Sequence, residues 1–465
     1  MIKFGTDGWR GRIADDFNFF NLRLVTQALV NYLQSKNQVE HGIVVGYDHR
    51  FQSGDFALTA AEICSGAGIP TYLSNHPIPT PALSFTVRDM NLDLGIMITA
   101  SHNPPFWNGL KIRENTGSSP LPETTREIEK FIKSTLTIKP NQTNITYFDP
   151  DPAYLNKLKS LVDLELIKTH KVKIMVDAMH GSGAGYFRKL GLAAYEIRGN
   201  RDPLFGGVNP EPLPVNLEET ISLVKDFGLK YLNELTACIV LDGDADRLAA
   251  IDGSGRFINT HNVFVLLLHL LVVHRKLKGE VVKTFNLSNL IDKLCEYYRL
   301  PLTVTPIGFK YIAKLIMERD ILLGGEESGG MSVCGFIPER DGILNGLLLL
   351  ELMAREKKTL AQILDEIMDE FGYFYYDRID LHCEKAQEII KHLSQQPPRQ
   401  FAGIKITKVE TLDGLKLNFE DESWILFRAS GTEPLLRIYT EGKSPEEVKL
   451  LLSKGEDLVK SFFPF

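Results

Sequence analysis

An α/β protein of several domains is what this sequence predicts, and three observations carry the reading. Short apolar strand-like runs alternate with helical segments through most of the chain, the alternation restarts twice, and the final segment turns strand-rich. At 465 residues the chain exceeds what one hydrophobic core usually supports, so about three or four domains are expected.

In order, the first unit predicts a helix near Asn21–Lys36, a strand at Gly42–Asp48, a helix at Ser53–Gly68 and strands at Thr71–Leu73 and Gly95–Ala100. A polar stretch, Lys133–Tyr147, breaks the pattern before a helical Pro152–Lys168. The second unit runs from strand Val172–Ala178 through the glycine-rich turn Gly181–Gly185 and helix Leu217–Phe227 to strand Ala237–Asp242. The third holds helix Val263–Lys278, strand Glu280–Phe285, a helix near Asn289–Arg299 and two helices within Leu344–Phe371. Strands at Phe374–His382, Gly403–Val409, Leu415–Phe419, Trp424–Arg428 and Leu435–Glu441, with helices near Glu384–Ser394 and Pro445–Lys460, make the last an α+β unit. The expected domains are 1–148, 149–252, 253–371 and 372–465, the first three similar in size and read as duplicated units.

Composition narrows the function. A formal net charge of −7 argues against a broad nucleic-acid surface, so an anion site must be built locally. The five cysteines are scattered, without CxxC spacing, and read as reduced, mostly buried thiols. The longest apolar stretch, Val263–His274, is too short for a membrane span and reads as a buried helix, and Met1–Arg12 lacks a signal-peptide core. A cytoplasmic protein is expected, with no membrane partner.

Four motifs and an N-terminal loop carry chemistry. Thr99-Ala100-Ser101-His102-Asn103-Pro104-Pro105 follows a strand, placing Ser101 where open α/β sheets bind ligands, and the absence of a GxSxG elbow argues against a hydrolase triad. Leu241-Asp242-Gly243-Asp244-Ala245-Asp246-Arg247 gathers three carboxylates at a strand end. Such hard oxygen ligands suit Mg²⁺, whereas an EF-hand would need a Glu at the twelfth position. Gly324-Gly325-Glu326-Glu327-Ser328-Gly329-Gly330 offers acceptors to sugar hydroxyls. Arg428-Ala429-Ser430-Gly431-Thr432-Glu433-Pro434, with Arg437 beyond, reads as a phosphate nest. The glycine-rich Phe4–Gly11 places Arg10 in a loop able to lean over a phosphorylated residue.

These segments, in this order over essentially the whole chain, resemble the α-D-phosphohexomutase superfamily of phosphoglucomutases and phosphomannomutases. The resemblance implies a four-domain enzyme, with three α/β domains and a smaller α+β domain around a central cleft. It implies that Ser101 carries a phosphoryl group, that Asp242, Asp244 and Asp246 hold Mg²⁺ with phospho-Ser101 completing the set, and that Glu326 and Ser328 read the sugar. Arg428, Ser430, Gly431 and Thr432, with Arg437, would hold the substrate phosphate. Arg247 and Arg10 would compensate phosphoserine charge, Lys111 and Lys310 would serve as basic groups near the reaction, and His102 would orient the phosphoserine. The implied reaction moves a phosphoryl group between the 1- and 6-positions of a hexose phosphate through a hexose 1,6-bisphosphate.

Glu326-Glu327-Ser328 resembles the GEES of phosphoglucomutases, so glucose is the expected substrate, with mannose possible. A phosphomannomutase or phosphoglucosamine mutase of the same mechanism is the alternative. Gly330 stands where some bifunctional relatives have a histidine, which shifts the expected acid–base work to Lys111 and Lys310. A non-catalytic phosphosugar-binding protein and a Mg²⁺-dependent phosphatase with an Asp nucleophile are the readings from other classes. Either a monomer or a homodimer fits the sequence.

Overall fold

The computed structural model describes residues 2–5, 8–232, 234–430 and 434–462. Four sheets follow one another along the chain. In the first, Ile43–Tyr47 lies parallel between Thr71–Ser74 and Leu94–Ile98, and Trp107–Glu114 pairs antiparallel with Leu94–Ile98. The second repeats the plan: Lys173–Asp177 lies parallel between Ala194–Ile197 and Thr236–Leu241, and Leu248–Asp252 runs antiparallel to the latter. The third does so again with Glu280–Thr284, Leu302–Thr305, Ile321–Gly325 and the antiparallel Met331–Val333. Numbered over these four strands of each unit, the order is 2-1-3-4 all three times, with Gly8–Arg12 and Ile145–Phe148 added at the two edges of the first sheet and Phe257–Ile258 at one edge of the second. The fourth sheet has six strands, and all its ladders are antiparallel.

This repetition positions the chemistry. The Ser101 loop, the Asp242–Arg247 loop and the Glu326–Gly330 loop each join the third strand of a unit to its antiparallel fourth. Equivalent turns from three equivalent scaffolds are thereby offered to one cleft. A continuous apolar core, from Tyr154 and Ile174 through Phe264, Leu323 and Leu347 to Phe374, unites the second and third units.

Several elements differ from expectation. The strand expected to reach Ala100 ends at Ile98, because Thr99 turns its hydroxyl to Asp48 and the Ser101 backbone enters the left-handed region at φ 52°. The expected N-terminal loop instead contributes an edge strand, Gly8–Arg12, on Trp107–Glu114. Gly8 has φ 139°, and a Cβ there would stand 2.1 Å from the Leu110 carbonyl oxygen, so only glycine permits this approach. The helix expected over Val263–Lys278 is α-helical only over Thr260–His269, then widens into a π-helical turn, Leu270–His274.

Candidate functional site

Ser101 is fully buried at the mouth of its loop. Its Oγ donates to Asp242 Oδ2 at 2.8 Å, across the boundary between the first and second units. The close approach of the two loops requires Gly243, where a Cβ would stand 2.5 Å from the Ser101 carbonyl oxygen. His102 Nδ1 lies 3.4 Å from the same Oγ. Burial, then the charges of Arg247, Arg10 and Lys111, hold the imidazole pKa well below its ordinary value, so His102 is neutral. Arg10 donates to Asn103 Oδ1, which ties the edge strand to the serine loop.

Asp242, Asp244 and Asp246 are all fully buried, with one carboxylate oxygen from each within 4.8 Å of the others. Lys111 Nζ donates to Asp244 Oδ2 at 2.7 Å and Asp246 Oδ2 at 2.8 Å, and Thr80 donates to Asp244. Arg247 Nε stands 3.8 Å from Asp246 Oδ1. Burial and the neighbouring Asp244 and Asp246 push the Asp242 carboxyl well up. For Asp244 burial acts in the same sense but is outweighed by Lys111, Thr80 and Ser101, which hold it below the usual carboxylate range. Asp244 Oδ1 and Asp246 Oδ1 are buried and accept no hydrogen bond among the described residues. Three converging carboxylates with two unsatisfied oxygens are the donor set of a hard divalent cation, and Mg²⁺ fits it.

Two residues that sequence reasoning missed organise this centre. Arg50, fully buried, donates to four backbone carbonyls of the serine loop: Ser101 at 2.5 Å, Asn103 at 2.6 Å, Pro104 at 2.9 Å and Trp107 at 3.1 Å. Its ion pair with Asp48 spans 3.3 Å. The Asp48-His49-Arg50 run at the end of an apolar strand was the available signal. Arg340 joins the metal loop to the sugar loop, standing 2.9 Å from Asp246 Oδ2, 3.0 Å from Glu326 Oε1 and 3.1 Å from Glu339 Oε1. It sits just before helix Gly342–Glu356, and no motif marked it.

Glu326 thus faces the centre through Arg340, and Ser328 Oγ is buried without a hydrogen-bond partner among the described residues. Glu327 points elsewhere: Tyr376 donates to it at 2.9 Å and Arg378 at 3.1 Å, both from the fourth sheet. On that sheet Arg428 and Arg437 are directly opposed across an antiparallel pair. Like charges so placed repel. Asp413 accepts from Arg428 at 3.0 Å and Asp380 stands 3.4 Å from Arg437, while an anion from the cleft would compensate further. Ser430 closes this turn by its N–H to the Leu435 carbonyl at 2.8 Å, and Gly431 and Thr432 lie outside the described residues. Lys310 is drawn below its ordinary pKa by burial, with Arg126 and Arg428 adding to the effect against Glu123 and Asp413. Glu211 is pushed up by burial, with Glu327 adding to the effect and Arg247, Arg378 and Arg437 opposing it.

Comparison with known proteins agrees with this architecture. Models described as phosphoglucomutase/phosphomannomutase match in four parts: alpha/beta/alpha domain I over residues 1–139, domain II over 152–255, domain III over 259–371 and the C-terminal domain over 384–454. A phosphoglucomutase/phosphomannomutase of Thermococcus kodakarensis is 30% identical over 467 residues, covering 98% of both chains. A phosphoglucosamine mutase of Methanococcus maripaludis is 30% identical over 470 residues, covering 99% of both. A crystal structure from Thermus thermophilus, provisionally named phosphomannomutase, superposes with a TM-score of 0.87 at 36% identity over 99% of both chains. No helix among the described residues is long and apolar enough to cross a membrane. The four matched domains, the shared architecture and the serine–aspartate centre lead to one conclusion: this chain belongs to the phosphoglucomutase/phosphomannomutase family, the phosphohexomutases, which are phosphotransferase mutases of carbohydrate metabolism.

Proposed function

We infer that this chain interconverts hexose 1- and 6-phosphates through a phosphoryl group carried on Ser101. The observation that carries the reading is the buried Ser101 hydroxyl, hydrogen-bonded at 2.8 Å to the first of three clustered aspartates. Phospho-Ser101 would pass its group to the free hydroxyl of the sugar, and the resulting 1,6-bisphosphate would return its other phosphoryl group to the serine after turning over. Asp242, Asp244 and Asp246 would hold Mg²⁺, which when bound neutralises charge on the transferring phosphoryl oxygens. Arg50 fixes the serine backbone, Arg10 and Arg247 face the transferred charge, and neutral His102 orients the hydroxyl. Lys111 touches Asp244 and Asp246, in the cluster whose Asp242 accepts from Ser101, and so is placed to balance the cluster's charge and relay a proton. Arg428 and Arg437 receive the non-reacting phosphate, with Glu326, Ser328 and Lys310 on the sugar.

Among sugars, glucosamine and mannose phosphates rank ahead of the glucose expected from the Glu326-Glu327-Ser328 spelling. The names of the Methanococcus and Thermus relatives support that ranking. The spelling weighs less because Glu327, its distinguishing letter, is engaged by Tyr376 and Arg378. The test is turnover of glucosamine, mannose and glucose 1-phosphates at equal concentration with Mg²⁺ and catalytic bisphosphate. The expected order places glucosamine or mannose first, and glucose dominance would reverse it. Ser101→Ala should abolish turnover and incorporation of phosphate into protein, and full activity in that variant would remove Ser101 from its role.

A further inference from the structure

Outside the catalytic cleft, His269, His274 and Glu356 form a cluster whose ligand atoms all lie within 4.8 Å of one another. His269 Nε2 stands 3.1 Å and His274 Nε2 2.6 Å from the same oxygen, Glu356 Oε1. The other oxygen, Oε2, is taken by Lys358 at 3.4 Å, so the carboxylate is divided between an ammonium on one side and two imidazoles on the other. All three cluster side chains are mostly buried yet reachable, at 15%, 23% and 17% exposure.

The backbone makes this convergence possible. In an α-helix of 3.6 residues per turn, residues five apart point about 140° away from each other. Here the chain changes from α-helix Thr260–His269 to the π-helical turn Leu270–His274, whose i to i+5 bonding brings residues five apart onto one face. Such turns are rare and concentrate at functional sites. Glu356 arrives from the last residue of helix Gly342–Glu356.

We propose that His269, His274 and Glu356 form a second metal site, for a borderline transition cation of the Zn²⁺ kind. Two imidazoles and one carboxylate, with a fourth position open to water, are a donor set that zinc accepts and magnesium disfavours. The site therefore differs in chemistry from the all-oxygen aspartate centre. It clamps the ends of two helices, one of which runs 15 residues, about 22 Å, back toward Arg340 and Asp341 beside the cleft. Its occupancy would set the rigidity of the third unit without entering the reaction.

The experiment is a calorimetric Zn²⁺ titration of the full chain held at saturating Mg²⁺, with melting followed in parallel. The wild type should bind one more equivalent of Zn²⁺ than the His269→Gln/His274→Gln variant, and only the wild type should melt higher with Zn²⁺ than without. Asp244→Asn should keep the extra equivalent. The single variant His274→Gln, at the more exposed position, should bind Zn²⁺ at least tenfold more weakly while keeping its Mg²⁺-dependent turnover and helix content, and it decides the matter if the double variant fails to fold. Equal zinc binding in wild type and His274→Gln, or loss of the extra equivalent in Asp244→Asn alone, would overturn the proposal.

Discussion

Arg50 donates to the backbone carbonyl of Ser101 at 2.5 Å from a fully buried position, so a guanidinium of the first sheet's leading loop fixes the serine's left-handed backbone. The same side chain holds three further carbonyls of that loop. Replacing it by methionine strands those carbonyls and leaves the Asp48 charge buried without its ionic partner, held only by neutral donors such as Thr99 and Ser53. Arg50→Met should lose about 3–5 kcal/mol of stability and slow turnover about 100-fold through misplacement of the serine. Urea unfolding and steady-state kinetics check this, and a variant within twofold of wild type in turnover would dismiss the stapling argument.

Asp244 is shared by Lys111, Thr80 and the proposed cation. Asp244→Asn removes a charged ligand but keeps the volume, so half-saturation by Mg²⁺ should rise at least tenfold and turnover should fall by about 100-fold or more. Kinetics over a Mg²⁺ series measure both, and unchanged magnesium dependence would contradict the assignment.

Arg428 and Arg437 oppose each other on the fourth sheet. Removing one relieves their repulsion but would weaken the phosphate site proposed for them. Arg437→Ala should therefore raise KM for the sugar phosphate about tenfold or more, with little loss of thermal stability. A KM equal to wild type would place the distal phosphate elsewhere.

Lys416 is buried between the third and fourth units, with Nζ 3.2 Å from the Phe285 carbonyl oxygen and 4.0 Å from the centre of the Trp424 ring. Burial, aided by Lys283 and opposed by Glu441, Asp292 and Glu410, lowers its pKa to about 7. Above that pH the unfolded chain keeps a proton the native one has released, so this group makes stability rise with pH from about 7 toward the ordinary lysine range. Lys416→Met should abolish that part of the slope and be at least as stable as wild type near pH 6. Urea midpoints across pH provide the comparison, and superimposable profiles would refute it.

The outer strands Ile145–Phe148, Ala194–Ile197 and Leu302–Thr305 gave no continuous apolar run and were not expected, but the other parallel strands and the loops after them were legible because their apolar runs are continuous and end in glycines, carboxylates or Ser101. The antiparallel fourth strands were not. Trp107–Glu114 carries Lys111 and Arg113, both buried, and a strand with charges inside gives no apolar signal. Arg50 and Arg340 were hidden for a related reason: their partners lie far away in sequence, and only the fold brings them into contact. The glucose expectation rested on the Glu326-Glu327-Ser328 spelling and on the phosphoglucomutase-like Val176–Gly181 run, and in the first of these Glu327 is turned to Tyr376 and Arg378.

The 2-1-3-4 strand plan, met three times, makes each chemical role a cassette plugged into the same socket. On the roles proposed above, the Glu326–Gly330 turn could drift toward a new sugar while the other two keep their serine and aspartates, provided Glu326 keeps its tie through Arg340 to Asp246, because the pairing that shapes each socket lies in its own sheet. Diversification of substrate within such a chain then needs no renegotiation of its phosphoryl chemistry.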